Sequence, residues 1–182
     1  DPVFEGSKMF EKGGVRIAVI GQAFPFTPIA NPRWMFPKWT FGIKDDDMQK
    51  QVDDARAAGA DLVVVLSHNG FDVDRQMAAK VKGIDVMLTG HTHDAIPEVV
   101  KVGETLLVSS GSHGKFVSRL DLDIQDKKIK SFRFKLIPVF SDWITPDAET
   151  AAMIAKVRQP YEADLKRVLG KTDSLLYRRG NF

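Results

Sequence analysis

The chain has 182 residues, 43% hydrophobic and 27% charged, which supports one domain or a little more with an ordinary core. Its 26 basic and 24 acidic residues leave a formal charge of +2, a balance that excludes a nucleic-acid or membrane surface driven by bulk charge. It has no cysteine, so thiolate metal sites, disulfides and cysteine nucleophiles are excluded.

No apolar run approaches a membrane span, and no secretory signal opens the chain. The start, Asp1-Pro2-Val3-Phe4, and the end, Arg178-Arg179-Gly180-Asn181-Phe182, read as cut, so a fragment of a longer protein is expected. Residues 1–14 are mixed and close in Lys12-Gly13-Gly14, a turn signal. Val15 to Gly21 reads as a short, β-branched, buried strand.

Residues 22–43 read as a long loop, because Pro25, Pro28, Pro32 and Pro37 oppose regular structure. Its many aromatics argue against disorder, and two roles stay open. It is either a lid packed on its own domain or a wall of a substrate cleft with Asn31, Arg33 and Trp34 as contacts.

Asp45 to Ala58 predicts a helix, with three aspartates at its positive end and Gly59 after it. A strand over 61–66, a helix from Asp72 to Lys82 and a strand over 84–88 follow. This alternation implies right-handed crossovers and a parallel or mixed sheet. Beyond residue 98 the pattern turns to hairpins, 99–101 with 105–109 and 115–124 with 128–138. Thr145-Pro146-Asp147 predicts a helix start, with one apolar face through Ile154, Val157, Tyr161, Leu165 and Val168 to Gly170. Residues 171–182 are expected to begin a further element.

The chemistry concentrates at two strand ends. Val86 to Gly90 runs into His91-Thr92-His93-Asp94, and Leu62 to Ser67 runs into His68-Asn69-Gly70. In an extended backbone, residues two apart point to one side, so His91 and His93 are expected to converge. Neutral imidazoles at adjacent strand ends are ligands for a divalent ion. His68, His91 and His93 are therefore candidate metal ligands. Asp94 is a candidate acceptor orienting a ligand, or simply a turn residue. His113, in Ser109-Ser110-Gly111-Ser112-His113-Gly114-Lys115-Phe116, either touches substrate or lines the loop. That stretch is neither a P-loop nor a nucleophile elbow.

Ser67-His68-Asn69-Gly70 followed by Gly90-His91-Thr92-His93 resembles the last two metal-ligand blocks of the calcineurin-like metallophosphoesterases. The layout is most similar to the 5′-nucleotidase branch. Three stretches, Gly21 to Trp34, Gly90 to Pro97 and Gly111 to Val117, resemble the SoxB thiosulfohydrolases of bacterial sulfur oxidation.

The resemblance implies an α/β fold, a partial metallophosphoesterase domain in which a mixed β-sandwich is flanked by helices. It places the C-terminal half of that domain in residues 1–141. A linker helix and the start of a next domain fall in 142–182. It implies two divalent metals, manganese with zinc as the alternative, His68 and His91 binding one ion and His93 the other. It implies hydrolysis of a thiosulfonate-type cysteine conjugate on the carrier protein SoxYZ, with release of sulfate, in the periplasm. Asn31, Arg33, Trp34 and His113 would face the carrier's cysteine-bearing arm.

The family's earlier ligand blocks and its acid histidine are expected upstream of Asp1, since residues 1–60 contain no histidine. The chain alone is therefore expected to hold an incomplete metal site, to be inactive, and to self-associate through exposed edges. Two rival functions are a 5′-nucleotidase-like phosphoesterase and a non-catalytic metal- or peptide-binding module.

Overall fold

Gly13 and Gly14 both take left-handed backbone angles (φ 59° and 76°) and fold β1 (Ser7–Lys12) back on β2 (Val15–Gln22). The computed structural model describes residues 4–176 and divides into two units, Asp1–Val139 and Phe140–Phe182. β1 is an edge strand with hardly any buried side chain, so it lacks the apolar alternation by which a strand is read from sequence.

The proline-rich stretch is more regular than its composition predicts. It contains a turn of helix, α1 (Thr27–Ala30), and a 3₁₀ turn at Arg33–Met35. Pro28 sits in the first turn of α1, where its missing N–H has no helical partner to lose.

Then come α2 (Asp45–Ala57), β3 (Leu62–Ser67), α3 (Phe71–Lys80), β4 (Val86–Thr89), β5 (Val100–Val102) and β6 (Thr105–Ser109). The six strands form one sheet in the order β1-β2-β3-β4-β6-β5. β2, β3, β4 and β6 are parallel neighbours, while β1 and β5 close the edges antiparallel. β7 (Phe116–Gln125) and β8 (Lys128–Pro138) form a separate two-stranded sheet rather than extending the first one.

One face of the large sheet carries the core. Met48, Val52 and Ala55 of α2 and Met77 and Ala78 of α3 pack on Ala18, Ile20, Val63, Val65, Met87 and Leu107. Truncating a fully buried member such as Met77 to alanine costs about 2–5 kcal/mol.

α3 also buries a charge-bearing group that its periodicity does not announce. Asp74 is wholly buried, and its Oδ1 accepts from Ser67 Oγ at 2.7 Å and from Asn69 Nδ2 at 3.0 Å. Its Oδ2 has no partner among the described residues. Burial pushes the Asp74 carboxyl above the ordinary range, against the pull of the Ser67 and Asn69 hydrogen bonds.

In the second unit, α4 (Ala148–Arg158), a 3₁₀ turn (Gln159–Tyr161) and α5 (Glu162–Lys166) replace the single long helix expected from sequence. Pro160 sits at the start of the 3₁₀ turn, where it cannot continue the α-helical ladder. The cap is Asp147, whose side chain accepts from Thr150 N at 2.8 Å, and not Thr145. The apolar stripe from Ile154 to Val168 is exposed. Of the element expected over 171–182, residues 171–176 carry neither helix nor strand, and the remainder lies outside the described residues.

The raised Asp74 carboxyl makes a stability prediction. Its contribution is complete below the ordinary aspartate value and is lost as pH rises through the higher folded value. The unfolding free energy of the wild-type chain, relative to Asp74→Asn, should fall as pH rises above the ordinary aspartate value of about 4. Urea titrations across that range measure it, and a difference that stays flat with pH contradicts the assignment.

Candidate metal-ligand site

The parallel register builds the site. Ser67 of β3 pairs with Thr89 of β4, and Thr89 pairs with Ser109 of β6. Three loops therefore leave one edge of the sheet together, the usual place for a site in an α/β sheet. They carry all four histidines of the chain: His68, His91, His93 and His113.

The histidines meet in two pairs. The ring centroids of His68 and His91 are 5.3 Å apart, and those of His93 and His113 are 5.4 Å apart. The expected convergence of His91 with His93 is therefore corrected. Both residues have positive φ (80° and 62°), so extended-strand alternation does not apply to them. Across the strand ends, His91 turns to His68, while His93 turns to the third loop.

His113 also has positive φ (59°), and its Nδ1 lies 2.7 Å from Ser112 Oγ. Each left-handed, non-glycine residue costs of order 1–3 kcal/mol and persists only where the surroundings enforce it.

Close packing fixes the first pair. His68 N donates to Gln22 O at 2.9 Å. A methyl group at Gly90 would stand 3.2 Å from His68 Nδ1 and 3.4 Å from Ser67 O, so the absent side chain makes room for the imidazole. Phe24 of the aromatic loop lies against the pair, while both histidines stay exposed. Its ring centroid is 4.4 Å from that of His91 and 5.9 Å from that of His68. Sequence reasoning missed this residue, because nothing in the Phe-Pro-Phe string distinguishes a site aromatic from a packing one.

Asn31, Arg33 and Trp34 sit farther along that loop. Asn31 Nδ2 donates to Thr27 O, and Trp34 is 78% exposed. None of the three lines the groove beside His68. Asp94 participates through its carbonyl, which accepts from Ser109 Oγ at 2.6 Å and Gly111 N at 2.8 Å. Its carboxylate makes no hydrogen bond among the described residues.

The groove runs from His68 along the face of the sheet turned away from α2 and α3 and holds about 570 Å³. Val64, Leu66, Val86 and Leu88 form its floor, and Ser118, Leu120 and Leu122 of β7 stand opposite.

Among the described residues no three His, Cys, Asp or Glu side chains converge as a metal-holding group. Each histidine pair can offer two imidazole nitrogens to one ion. Among the described residues, the further donors that a closed or dinuclear centre requires do not stand with either pair.

No family model matches the chain. Relatives and solved structures do. The uncharacterized metallophosphoesterase YunD of Bacillus subtilis (strain 168) is 28% identical over 85% of this chain and 32% of its own length. The snake venom 5′-nucleotidase of Gloydius brevicauda is 25% identical over 91% and 31%. Among structures, the Thermus thermophilus sulfate thiohydrolase SoxB superposes with a TM-score of 0.85 at 32% identity, covering 90% of this chain and 30% of SoxB.

The fold is that of the 5′-nucleotidase-like metallophosphoesterases. A 5′-nucleotidase precursor, also from Thermus thermophilus, follows at TM-score 0.79 and 26% identity, over 90% of this chain and 36% of its own. The chain thus spans about a third of the length of these metallophosphoesterase relatives. Divalent metal chemistry is implied by that family, and hydrolases are its members. No helix among the described residues is long and apolar enough to cross a membrane.

Two histidine pairs without further donors predict weak metal retention. After equilibrium dialysis against manganese or zinc and a brief gel filtration, elemental analysis should find much less than one ion per chain. Two tightly held equivalents contradict this reading.

Proposed function

We propose that this chain is the histidine-bearing part of a SoxB-like hydrolase that releases sulfate from a thiosulfonate-type cysteine conjugate on a carrier protein. The observation that carries the reading is the similarity to SoxB, greater in both superposition and identity than that to the 5′-nucleotidase precursor. In this reading, His68 and His91 contribute to one ion and His93 to a second, which suits their separation into two pairs. Manganese is the proposed metal, with zinc the alternative. Residues 1–141 contribute to the metal-binding domain, and 142–182 lead toward a next one.

His113 stands beside His93 and would face the substrate. The aromatic loop presents Ile29, Trp34 and Trp39 to solvent, an apolar surface suited to an incoming peptide arm. Asn31 and Arg33 would supply its polar contacts. The proposed partner is the cysteine-bearing arm of SoxYZ, and the proposed location is the periplasm. When bound, a pair of divalent ions supplies an activated water and offsets charge on the oxyanion. The chain's own contribution is to fix the histidines at one sheet edge, with Phe24 packed beside His68 and His91.

A second reading, a 5′-nucleotidase, is favoured by the nucleotidases among the curated relatives. The polypeptide that joins these residues to the rest of the family fold separates the two. Given a carrier-bound cysteine S-thiosulfonate and, separately, a nucleoside 5′-monophosphate, it should release sulfate from the first and negligible phosphate from the second. Phosphate release without sulfate establishes the nucleotidase reading instead. In either case the isolated 182-residue chain should show no turnover.

A further inference from the structure

At the edge of the sheet opposite the histidines, the β7–β8 hairpin returns to the starts of β3, β4 and β6. It encloses a second cavity there of about 700 Å³. Its lining is strongly biased in charge. Arg56, Lys101, Lys127, Lys128 and Lys130 face it, against Asp85 and Glu104. In a chain whose overall charge is only +2, this is a local concentration of cations.

Two of the five cations serve the scaffold. Arg56 donates to Asp61 O at 2.7 Å, to Gly83 O at 2.8 Å and to Asp85 Oδ2 at 2.6 Å, locking the strand starts. Lys127 pairs with Asp61 Oδ1 at 3.0 Å. Lys101, Lys128 and Lys130 have no carboxylate partner among the described residues. Lys101 Nζ instead rests 5.1 Å from the centroid of the Phe132 ring.

A register shift brings these groups together. Pairing passes from Ile124↔Ile129 to Asp123↔Ser131, which leaves Lys130 as the extra residue of a β-bulge. Strict alternation would send Ile129 and Lys130 to opposite faces. With the bulge, Ile129 and Phe132, three residues apart, are both half-buried, and residues 127 to 132 all line the cavity. At the hairpin tip, Asp126 and Lys127 adopt left-handed angles (φ 49° and 62°), a two-residue turn that returns Lys127 and Lys128 over the sheet.

We propose that this cavity binds a small organic dianion of the phosphate- or sulfate-monoester class. Lys101, Lys128 and Lys130 would hold the anionic group, and Leu106, Ile129 and Phe132 its apolar part. The volume lies within the range of small-molecule sites, and a lining made mostly of charged side chains beside Leu106, Ile129 and Phe132 suits a charged ligand with a small apolar part. The free ammonium groups are point charges able to follow a tetrahedral anion. Glu104 opposes the anion and limits its affinity.

Calorimetric titration of the chain with phenyl phosphate, in chelator-treated buffer, tests the site. A saturable one-to-one isotherm is expected, competed by inorganic phosphate and weakened by added salt. Lys128→Gln/Lys130→Gln should weaken binding at least about tenfold, and Glu104→Gln should tighten it about twofold. His68→Ala/His91→Ala should leave it unchanged, which separates this cavity from the histidine edge. Absence of saturable binding, wild-type affinity in the double-lysine variant, or loss of binding in the histidine variant overturns the proposal.

Discussion

The in-register parallel pairing of β3 with β4 and of β4 with β6 is the constraint on which the site depends. It aligns Ser67, Thr89 and Ser109 across three neighbouring strands, so the loops that follow start side by side. Strands lie about 4.8 Å apart, and that spacing brings His68 and His91 within ligand reach of one point. A one-residue slip of β4 would turn Met87 out of the core and Leu88 into it, and would move His91 away from His68.

Polar clamps hold that register at both ends. At the histidine end, buried Asp74 ties Ser67 and Asn69, the two residues that flank His68. At the other end, Asp85 Oδ2 accepts from Val63 N and from Arg56, while Arg56 also reaches the carbonyls of Asp61 and Gly83. Burial raises the Asp85 carboxyl too, against the pull of Val63 N and Arg56. These networks carry a desolvation penalty that apolar residues would not, and what they supply is position. The helices α2 and α3 contribute the apolar burial, and the clamps decide which register is buried.

What the sequence discloses follows from where apolar periodicity is strong. The strands from Val15 to Ser109 and the helices α2 and α3 are readable because each buries one face or both. β1 is not, because an exposed edge strand needs no pattern, and the break at Pro160 is hidden by an apolar stripe that continues across it. The histidines declare themselves by following buried strands, but their partners do not. Which imidazole faces which is set by φ at His91, His93 and His113, and a left-handed angle at a histidine leaves no mark in the string of letters. Phe24 and Asp74 escape for the same reason: their roles come from contacts across the fold, not from neighbours in sequence.

The left-handed histidines also explain why the motif is Gly-His-Thr-His and not a plain alternating strand. Had the backbone stayed extended, His91 and His93 would share one side and crowd a single ion, leaving His113 alone. Turning both residues through positive φ divides them between two positions, one shared with His68 and one with His113. The strain of three such residues lies against stability and is borne by the rigid sheet edge beneath them. A loop under that constraint has few alternative conformations. Its imidazoles are therefore held in these two pairs by the loop itself.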